Sequence, residues 1–352
     1  MRIYLEFEYR RINCKRCQAV KQEFIPWLSN SKRVTQRFAR EIGRMCREVS
    51  VSRVAAMHNL TWGQVRRLEM IYMKELVNKH PPSKRLRAIG IDEISIKKGH
   101  RYAILVADMD QQRPIWMSIT LGRAKEHMDA FYKELGDKQC KKIKLAVMDM
   151  WKPFRYSLND NAPQIQIIYD KFHVIGHLNK ALDEVRRLEY KRANEKNRKF
   201  IKGQRYTLLS KEANLNLKGQ ESLKLLLKAN KSLNKAYILK ESFDQLWDYD
   251  DPIKARQFFD NWKSQLRWSR LKPYKDFVNL IERHWNGIVS YCQPNHKVSL
   301  GFMEGLNNKV RVIQRRSYGI KNLEYLKLKI ITSFIKSKIN HYDLPIRNGE
   351  EP

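Results

Sequence analysis

The sequence has 352 residues, of which 70 are Lys or Arg and 37 are Asp or Glu, so its formal net charge is +33. The length is enough for two or three domains, and a hydrophobic content of 42% excludes a disordered chain. So large a positive charge favours an anionic partner, above all nucleic acid, because neutralised phosphates release their counterions. Charge alone leaves two alternatives open: a highly soluble basic protein and a ribosome-associated one.

Five unevenly spaced cysteines do not form a disulfide framework and are typical of a reducing compartment. The first residues, MRIYLEFEYRRINCK, are charged throughout and lack the apolar core of a signal peptide. No apolar run approaches the roughly 18 residues that span a bilayer. We therefore expect a cytoplasmic, nucleoid-associated protein with no membrane partner.

The first elements expected in chain order are the helices of residues 31–80. The segment 50–76 contains two stretches of helical apolar spacing, and Thr61 in the turn between them is a plausible N-cap. Arg66 and Arg67 fall on the polar side of the second stretch. Two short helices with a tight turn and a basic second helix predict a helix-turn-helix that contacts DNA. An ordinary helical hairpin is the alternative.

After the breaker HPPSKR the pattern changes from helix to strand. The stretches RAIGIDEISI, YAILVADMD and PIWMSIT predict three consecutive strands in an antiparallel meander. A helical stretch, the strand KIKLAVMDM, a short helix and the strand QIQIIYD follow. This order predicts an α/β fold in which a mixed sheet is flanked by helices, with its first part in residues 86–175.

Residues 176–297 carry Lys- and Arg-rich helical segments without further strand patterns, which predicts a large all-helical insertion. Four tryptophans in this region predict a small core of its own: Trp247, Trp262, Trp268 and Trp285. Trp285 could instead stack on an exposed base, but packing is the favoured interpretation. Residues 298–345 predict two further helices that complete the core.

Two aspartates follow or interrupt apolar strand patterns. Asp92 lies among isoleucines, and Asp149 ends the run KLAVMDM. A carboxylate in such a setting is costly to desolvate unless it is paired or binds a metal. If the two strands are adjacent, the aspartates repel each other without a cation, and Mg²⁺ or Mn²⁺ prefers such oxygen ligands.

A third carboxylate, Glu304, lies on a late helix. It shares one face with Asn308, Arg311 and Arg315, which could contact phosphates. A neighbouring apolar stripe would pack on the sheet and consists of Met303, Leu306, Val310 and Ile313. The glycines on either side of Glu304, at 301 and 305, would permit close backbone approach.

Other carboxylates compete for the same role, because an aspartate at a strand end is more often a turn or cap residue. The competitors are Glu93, Asp108, Asp110 and Asp170. Spacing alone does not choose among them.

Three segments resemble the ISL-three (ISL3) family of insertion-sequence transposases: AIGIDEISIKKGHRYAILVADMD, KLAVMDMWKPFRYSLNDNAPQIQIIYDKFHVI and GFMEGLNNKVRVIQRRSYGIKN. The resemblance runs from about residue 10 to residue 340. It implies an RNase H-like core with a DDE triad at Asp92, Asp149 and Glu304, and a helical insertion before the glutamate. His173 and Asp170, in the shared YDKFH segment, could lie near the metal site or simply pack.

The resemblance implies a transposase that binds double-stranded DNA, both the terminal repeats of its element and the target. Two Mg²⁺ or Mn²⁺ ions on the triad would serve DNA cleavage and strand transfer. A homodimer or higher oligomer is expected because two DNA ends must be joined. Another RNase H-like nuclease and a non-catalytic DNA-binding relic remain the alternatives.

The N-terminal segment, residues 1–30, departs from the family. Members typically begin with a zinc-binding segment that has two cysteine pairs, whereas here Cys14 and Cys17 match only the second pair. Because a structural zinc site needs four ligands, zinc binding is doubtful and the start could be truncated. The alternative is that both cysteines are free thiols.

Overall fold

The computed structural model describes residues 5–29, 33–97, 99, 101–317 and 319–335. The chain divides into two compact units, the first ending at His80 and the second beginning at Pro81. Among the described residues, no helix is both long enough and apolar enough to cross a bilayer. The last part of the predicted helical segment 298–345, after residue 335, lies outside the described residues.

The N-terminal unit is a small hairpin followed by helices. Its elements are β1 (Arg11–Cys14), β2 (Ala19–Gln22), α1 (Gln36–Glu48), α2 (Val51–His58) and α3 (Trp62–Lys79). The two strands pair antiparallel. Buried residues from all three helices form one apolar cluster, including Ile42, Val54 and Val65.

The turn between α2 and α3 has the structure that the sequence predicts. Asn59 ends α2 in the left-handed conformation with φ 52°, which a short polar side chain tolerates. The Thr61 hydroxyl accepts a hydrogen bond from the Gln64 backbone at 3.2 Å, and the Gln64 side chain accepts one from the Thr61 backbone at 2.8 Å. This reciprocal capping box fixes the start of α3 and confirms Thr61 as its N-cap.

The second unit is built on a five-stranded mixed sheet. Its strands are β3 (Ala88–Lys97), β4 (Arg101–Asp108), β5 (Arg113–Met117), β6 (Leu145–Met148) and β7 (Gln166–Tyr169), in the order β5-β4-β3-β6-β7. The first three pair antiparallel, and β6 and β7 add in parallel beyond β3. The predicted meander and mixed sheet are confirmed.

Helices make up the rest of this unit: α4 (Lys125–Leu135), α5 (Asp137–Cys140), α6 (Lys152–Asn161), α7 (Lys171–Arg192), α8 (Glu195–Gly203), α9 (Arg205–Leu209), α10 (Leu217–Ala229), α11 (Lys231–Phe243), α12 (Pro252–Ser264), α13 (Lys272–Arg283), α14 (Trp285–Val289), α15 (Gly301–Arg316) and α16 (Leu323–Thr332). The helices α15 and α16 return to pack on β3 and β5. The predicted α/β fold, with an RNase H-like mixed sheet and an all-helical insertion before its last helices, is confirmed.

The helical region between β7 and α15 has an aromatic centre. The Phe243 ring lies 4.9 Å from the Trp262 ring and 5.7 Å from the Trp247 ring, centroid to centroid. Trp285 stacks on Phe259 at 5.0 Å, so its interpretation as a packing residue is confirmed. The prediction is wrong for Trp268, which is 91% exposed.

Candidate active site

The centre of the site follows from the register of two parallel strands. Ile91 of β3 is paired with Met148 of β6, so the next residues along each chain, Asp92 and Asp149, come side by side. The strand β3 is central in the sheet, and the β6 residues are all buried. Their apolar side chains anchor the strands, and the register then brings two carboxylates to one edge of the sheet.

Asp92 is buried, with 8% of its surface exposed, and its carboxylate is held by two donors. Oδ1 accepts a hydrogen bond of 2.7 Å from the backbone N–H of Glu93, and Oδ2 accepts one of 2.6 Å from the side-chain amide of Asn307. Burial raises the pKa of Asp92, and His173 together with these hydrogen bonds offsets only part of that rise. The group is therefore a desolvated carboxylate in a fixed orientation.

Asp149 is more accessible than Asp92, and His173 lies between the two. The Oδ1 atom of Asp149 accepts a hydrogen bond of 2.6 Å from the Met150 backbone, and Oδ2 lies 3.4 Å from His173 Nδ1. The other ring nitrogen of His173, Nε2, is 3.9 Å from Asp92 Oδ1. One imidazole is thus close to both carboxylates.

The position of His173 is set by the start of α7. Asp170, directly after β7, caps the helix by accepting a hydrogen bond of 2.9 Å from the Phe172 backbone. Burial raises the pKa of Asp170 to about 6, with further contributions from Asp92 and Asp149. Asp170 is therefore a structural cap whose charge is felt by the aspartate pair, and it places His173 in the first turn.

The helix α15 brings Asn307 to the aspartates. Met303, Leu306 and Val310 of its predicted apolar stripe are buried, and the helix packs on β3. Asn307 contacts Asp92, whereas Glu304, one turn earlier, is exposed. Within the described part of the chain, no group of three or more His, Cys, Asp or Glu residues is arranged to hold a metal ion.

The close approach of α15 to the sheet depends on a glycine of the strand. A Cβ atom at Gly90 would lie 2.5 Å from Met303 Sδ and 2.6 Å from Met109 Sδ. At Gly305 the space around a Cβ is open, and at Gly301 the nearest atom is 3.9 Å away. The expectation that the two helix glycines permit this approach is wrong, because the crowded position is Gly90.

The competing carboxylates have other partners. The Glu93 side chain accepts a hydrogen bond of 2.6 Å from Arg123, whose guanidinium lies 4.3 Å from the centroid of the Trp151 ring. Asp108 accepts hydrogen bonds from two backbone N–H groups of the turn after β4. Asp110 forms an ion pair of 2.6 Å with Arg87.

The predicted DNA-binding residues lie on two helices. On α3, the Arg66 guanidinium lies 5.0 Å from the centroid of the half-exposed Trp62 ring, and Arg67 is exposed. On α15, Asn308, Arg311 and Arg315 are exposed, and Arg311 donates a hydrogen bond of 3.2 Å to Asn308. Each group presents basic side chains to solvent.

The cysteine pair flanks the hairpin turn of the N-terminal unit. Cys14 is half-buried at the end of β1, and Cys17 is exposed in the turn. Hydrogen bonds from the backbone and thiol of Cys17 lower the pKa of the Cys14 thiol. The described residues do not bring a third zinc ligand to this pair.

Two residues of the site region, Asn307 beside Asp92 and Arg123 beside Glu93, were not among the residues expected from sequence. Asn307 follows directly after the apolar Leu306, so only the rotation of α15 decides whether it meets Asp92. Arg123 precedes α4 in a loop, where residue type carries no signal of its partner. Both became visible only from the packing.

Two family models match the chain. Residues 89–330 match the ISL3-type DDE model described as a transposase, and residues 25–68 match the helix-turn-helix domain of transposase family ISL3. The chain is 31% identical over 336 residues to the transposase for insertion sequence element IS1001 of Bordetella parapertussis, which covers 95% of this chain and 82% of that relative. It is 24% identical over 347 residues to the transposase for IS1557 of Mycobacterium tuberculosis, with coverages of 92% and 77%. The chain therefore belongs to the ISL3 family of insertion-sequence transposases.

Proposed function

We propose that this chain is an active DDE transposase that binds the terminal repeats of its element and target DNA, and that cleaves and joins DNA with two divalent metal ions. Asp92, Asp149 and Glu304 are the proposed metal ligands. The observation that carries the proposal is the side-by-side position of Asp92 and Asp149, where the parallel pairing of β3 with β6 ends. Ligand sites of α/β sheets lie at such strand ends.

The donor chemistry around Asp92 fits a hard divalent cation. Two adjacent carboxylates, one of them desolvated, repel each other unless a positive charge lies nearby. The Oδ1 atom of Asn307 is buried and has no hydrogen-bond partner among the described residues, so a third oxygen is available there. Oxygen donors of this kind suit Mg²⁺ or Mn²⁺.

Glu304 is proposed as a ligand on the strength of its position relative to Asn307. The two residues are three positions apart on α15, so they are neighbours on the helix surface. Asn307 already contacts Asp92, and a modest rotation of α15 would carry the Glu304 carboxylate toward the same edge. We propose that binding of DNA and metal brings about this rotation.

The remaining residues orient the reacting groups. When bound, the ions activate the attacking oxygen and stabilise the leaving 3′ oxygen. Asp92 is held by the Glu93 backbone and by Asn307, so it does not have to be ordered when substrate arrives. The His173 ring between the aspartates can donate a hydrogen bond to a scissile phosphate oxygen or orient a water molecule.

The test is an assay in vitro with paired terminal-repeat duplexes, a target plasmid and Mg²⁺. Cleavage together with joining is expected for the wild-type chain, and Asp92→Asn is expected to abolish both while duplex binding persists. Asp137→Asn, an exposed aspartate at the start of α5, is the matched control and keeps full activity. Joining by Asp92→Asn at the wild-type rate would refute the proposal.

The same assay separates the alternatives. Cleavage without joining would identify an RNase H-like nuclease, and binding alone would identify a relic. We also propose that two or more protomers act together, because two ends must meet at one target. Light scattering of the complex with paired ends tests this stoichiometry.

A further inference from the structure

Trp268 lies in the connection between α12 and α13 and differs from the buried aromatics of this region. It is 91% exposed, whereas Trp262, six residues earlier, is 1% exposed. Burying an indole is among the largest apolar gains available to a side chain, so a fully exposed Trp forgoes that gain. Its neighbours Arg267 and Arg270 are exposed as well.

The fold imposes this exposure. Leu266 and Leu271, on either side of the loop, are buried and anchor both of its ends. Between them, the backbone N–H of Arg267 donates a hydrogen bond of 3.0 Å to Ser264, and that of Ser269 donates one of 3.0 Å to Leu266. The loop is therefore a structured turn with anchored ends, and Trp268 lies exposed at its surface.

The surroundings of the ring are cationic. Arg267, Arg270 and Lys272 form no ion pair with a carboxylate of the described chain, in contrast to Lys263, which contacts Glu282 at 2.7 Å. A second copy of this loop would bring like charges together, which disfavours self-association through it. An aromatic ring among unpaired cations matches the surface that binds unpaired bases and their phosphates.

The helix α13 connects this loop to the sheet. Its last turn is followed by His284, whose ring lies 5.1 Å from the ring of Tyr169, the final residue of β7. The 12 residues of α13 span about 18 Å, close to the length of five base pairs. A single helix of this length therefore separates the loop from the carboxyl end of β7.

We propose that the loop 266–271 is a DNA-contact site in which Trp268 stacks on an unpaired base while Arg267 and Arg270 hold the adjacent phosphates. The choice of DNA as partner rests on the proposed function. The site is distinct from the helix-turn-helix and from the aspartate edge, and it would take a strand that is distorted or single.

The test measures binding of the full chain, in EDTA, to oligo(dT) and to a blunt duplex of equal length. Trp268→Ala is expected to weaken oligo(dT) binding about 5- to 100-fold, the value of one stacked base, and duplex binding by about twofold or less. Trp268→Phe keeps a ring and stays within about threefold of wild type. Ile253→Ala removes an exposed apolar residue at the other end of α12 and leaves both affinities unchanged.

The phosphate contacts have a separate readout. Arg267→Ala and Arg270→Ala are each expected to reduce the slope of log K against log salt for oligo(dT) by about 0.7. Equal oligo(dT) affinity of Trp268→Ala and wild type would overturn the proposal. So would a changed oligomeric state of Trp268→Ala with unchanged DNA affinity, which would identify a protein interface. Because the assay needs neither metal nor cleavage, its result is independent of the proposed chemistry.

Discussion

The side-chain amide of Asn307 donates a hydrogen bond of 2.6 Å to the carboxylate of Asp92, across 215 positions of sequence. This contact joins the central strand of the sheet to α15, the helix that also carries Glu304. It orients a buried carboxylate and stabilises the rotation of α15 in which Asn307, and not Glu304, contacts Asp92.

Asn307→Ala is therefore expected to lower the free energy of unfolding by about 1–3 kcal/mol, because a buried carboxylate loses a hydrogen-bond donor. DNA cleavage should fall about 10- to 100-fold, as for residues that orient a metal ligand. Urea denaturation and the cleavage assay measure the two effects. Asn261→Ala, on an exposed position of α12, is the control and should change neither. Unchanged values for Asn307→Ala would show that the contact is dispensable.

His173→Ala removes the imidazole that lies between Asp92 and Asp149. The two carboxylates then lose the ring nitrogens that lie near them, so added Mg²⁺ should stabilise the variant more than it stabilises the wild type. We expect the rise in melting temperature with Mg²⁺ to be larger by about 2 °C or more. His80→Ala, at an exposed histidine that ends α3, is the control. An equal rise in melting temperature with Mg²⁺ in the wild type and both variants would count against a cation site at Asp92 and Asp149.

Gly90→Ala places a Cβ atom 2.5 Å from the Met303 sulfur. The methionine ends must shift and α15 is pushed from β3, which should cost about 1–3 kcal/mol of stability and reduce cleavage. Gly305→Ala, on the open side of α15, should instead stabilise the protein by up to about 1 kcal/mol through helix propensity. Urea denaturation measures the free energy of unfolding of both variants. Equal changes for Gly90→Ala and Gly305→Ala would contradict the packing described for Gly90.

The ion-pair network of Arg256, Lys263 and Glu282 predicts a pH dependence of stability. Burial alone would raise the pKa of Glu282, but hydrogen bonds from Lys263 and Arg256 outweigh it and lower the pKa. Because the pKa of Glu282 is lower in the folded protein than its value of about 4.3 in the unfolded chain, the ionised carboxylate stabilises the fold above pH ~4.3. This stability is lost as the pH falls through the pKa of Glu282 in the folded protein.

Glu282→Gln should therefore be less stable than the wild type at pH ~7, by at most about 1 kcal/mol because the groups are about one-third exposed. The difference should vanish at pH ~2, where both proteins are uncharged at this position. Urea denaturation at the two pH values measures it. A difference that persists in acid would assign the effect to packing.

Arg67→Ala removes an exposed charge from α3. If α3 contacts DNA, binding to a terminal-repeat duplex should weaken, and the slope of log K against log salt should decrease by about 1. Arg44→Ala is the control on α1, because Arg44 already pairs with Glu41 at 2.9 Å. An unchanged slope for Arg67→Ala would place DNA on another face.

Much of the fold could be predicted because its signals are local. The apolar runs around Ile91 and Val147 are bounded by polar turns, and the Thr61 capping box lies within four residues. The proximity of Asp92 and Asp149 follows once their strands are adjacent, since each directly follows the apolar residue that is paired across the two strands, Ile91 with Met148.

The features that could not be predicted depend on how α15 is rotated about its axis and on the geometry of a loop. The apolar stripe of α15 limits which side of the helix faces the sheet, but it does not decide whether Asn307 or Glu304 points at Asp92. From residue type alone, every tryptophan is expected to be buried. Trp268 is exposed because it lies in a loop whose two ends are anchored by Leu266 and Leu271. Such features arise from contacts that a linear pattern does not encode.

The helix α7 has a mechanical consequence. The whole helix has 22 residues and is about 33 Å long. Its first turn carries His173 between the aspartates, and the helix also packs against α8, α9, α11 and α13. One continuous helix therefore joins the helical region to the imidazole beside Asp92 and Asp149. A shift of α7 along its axis would change the distances from His173 to both carboxylates, which are now 3.9 and 3.4 Å.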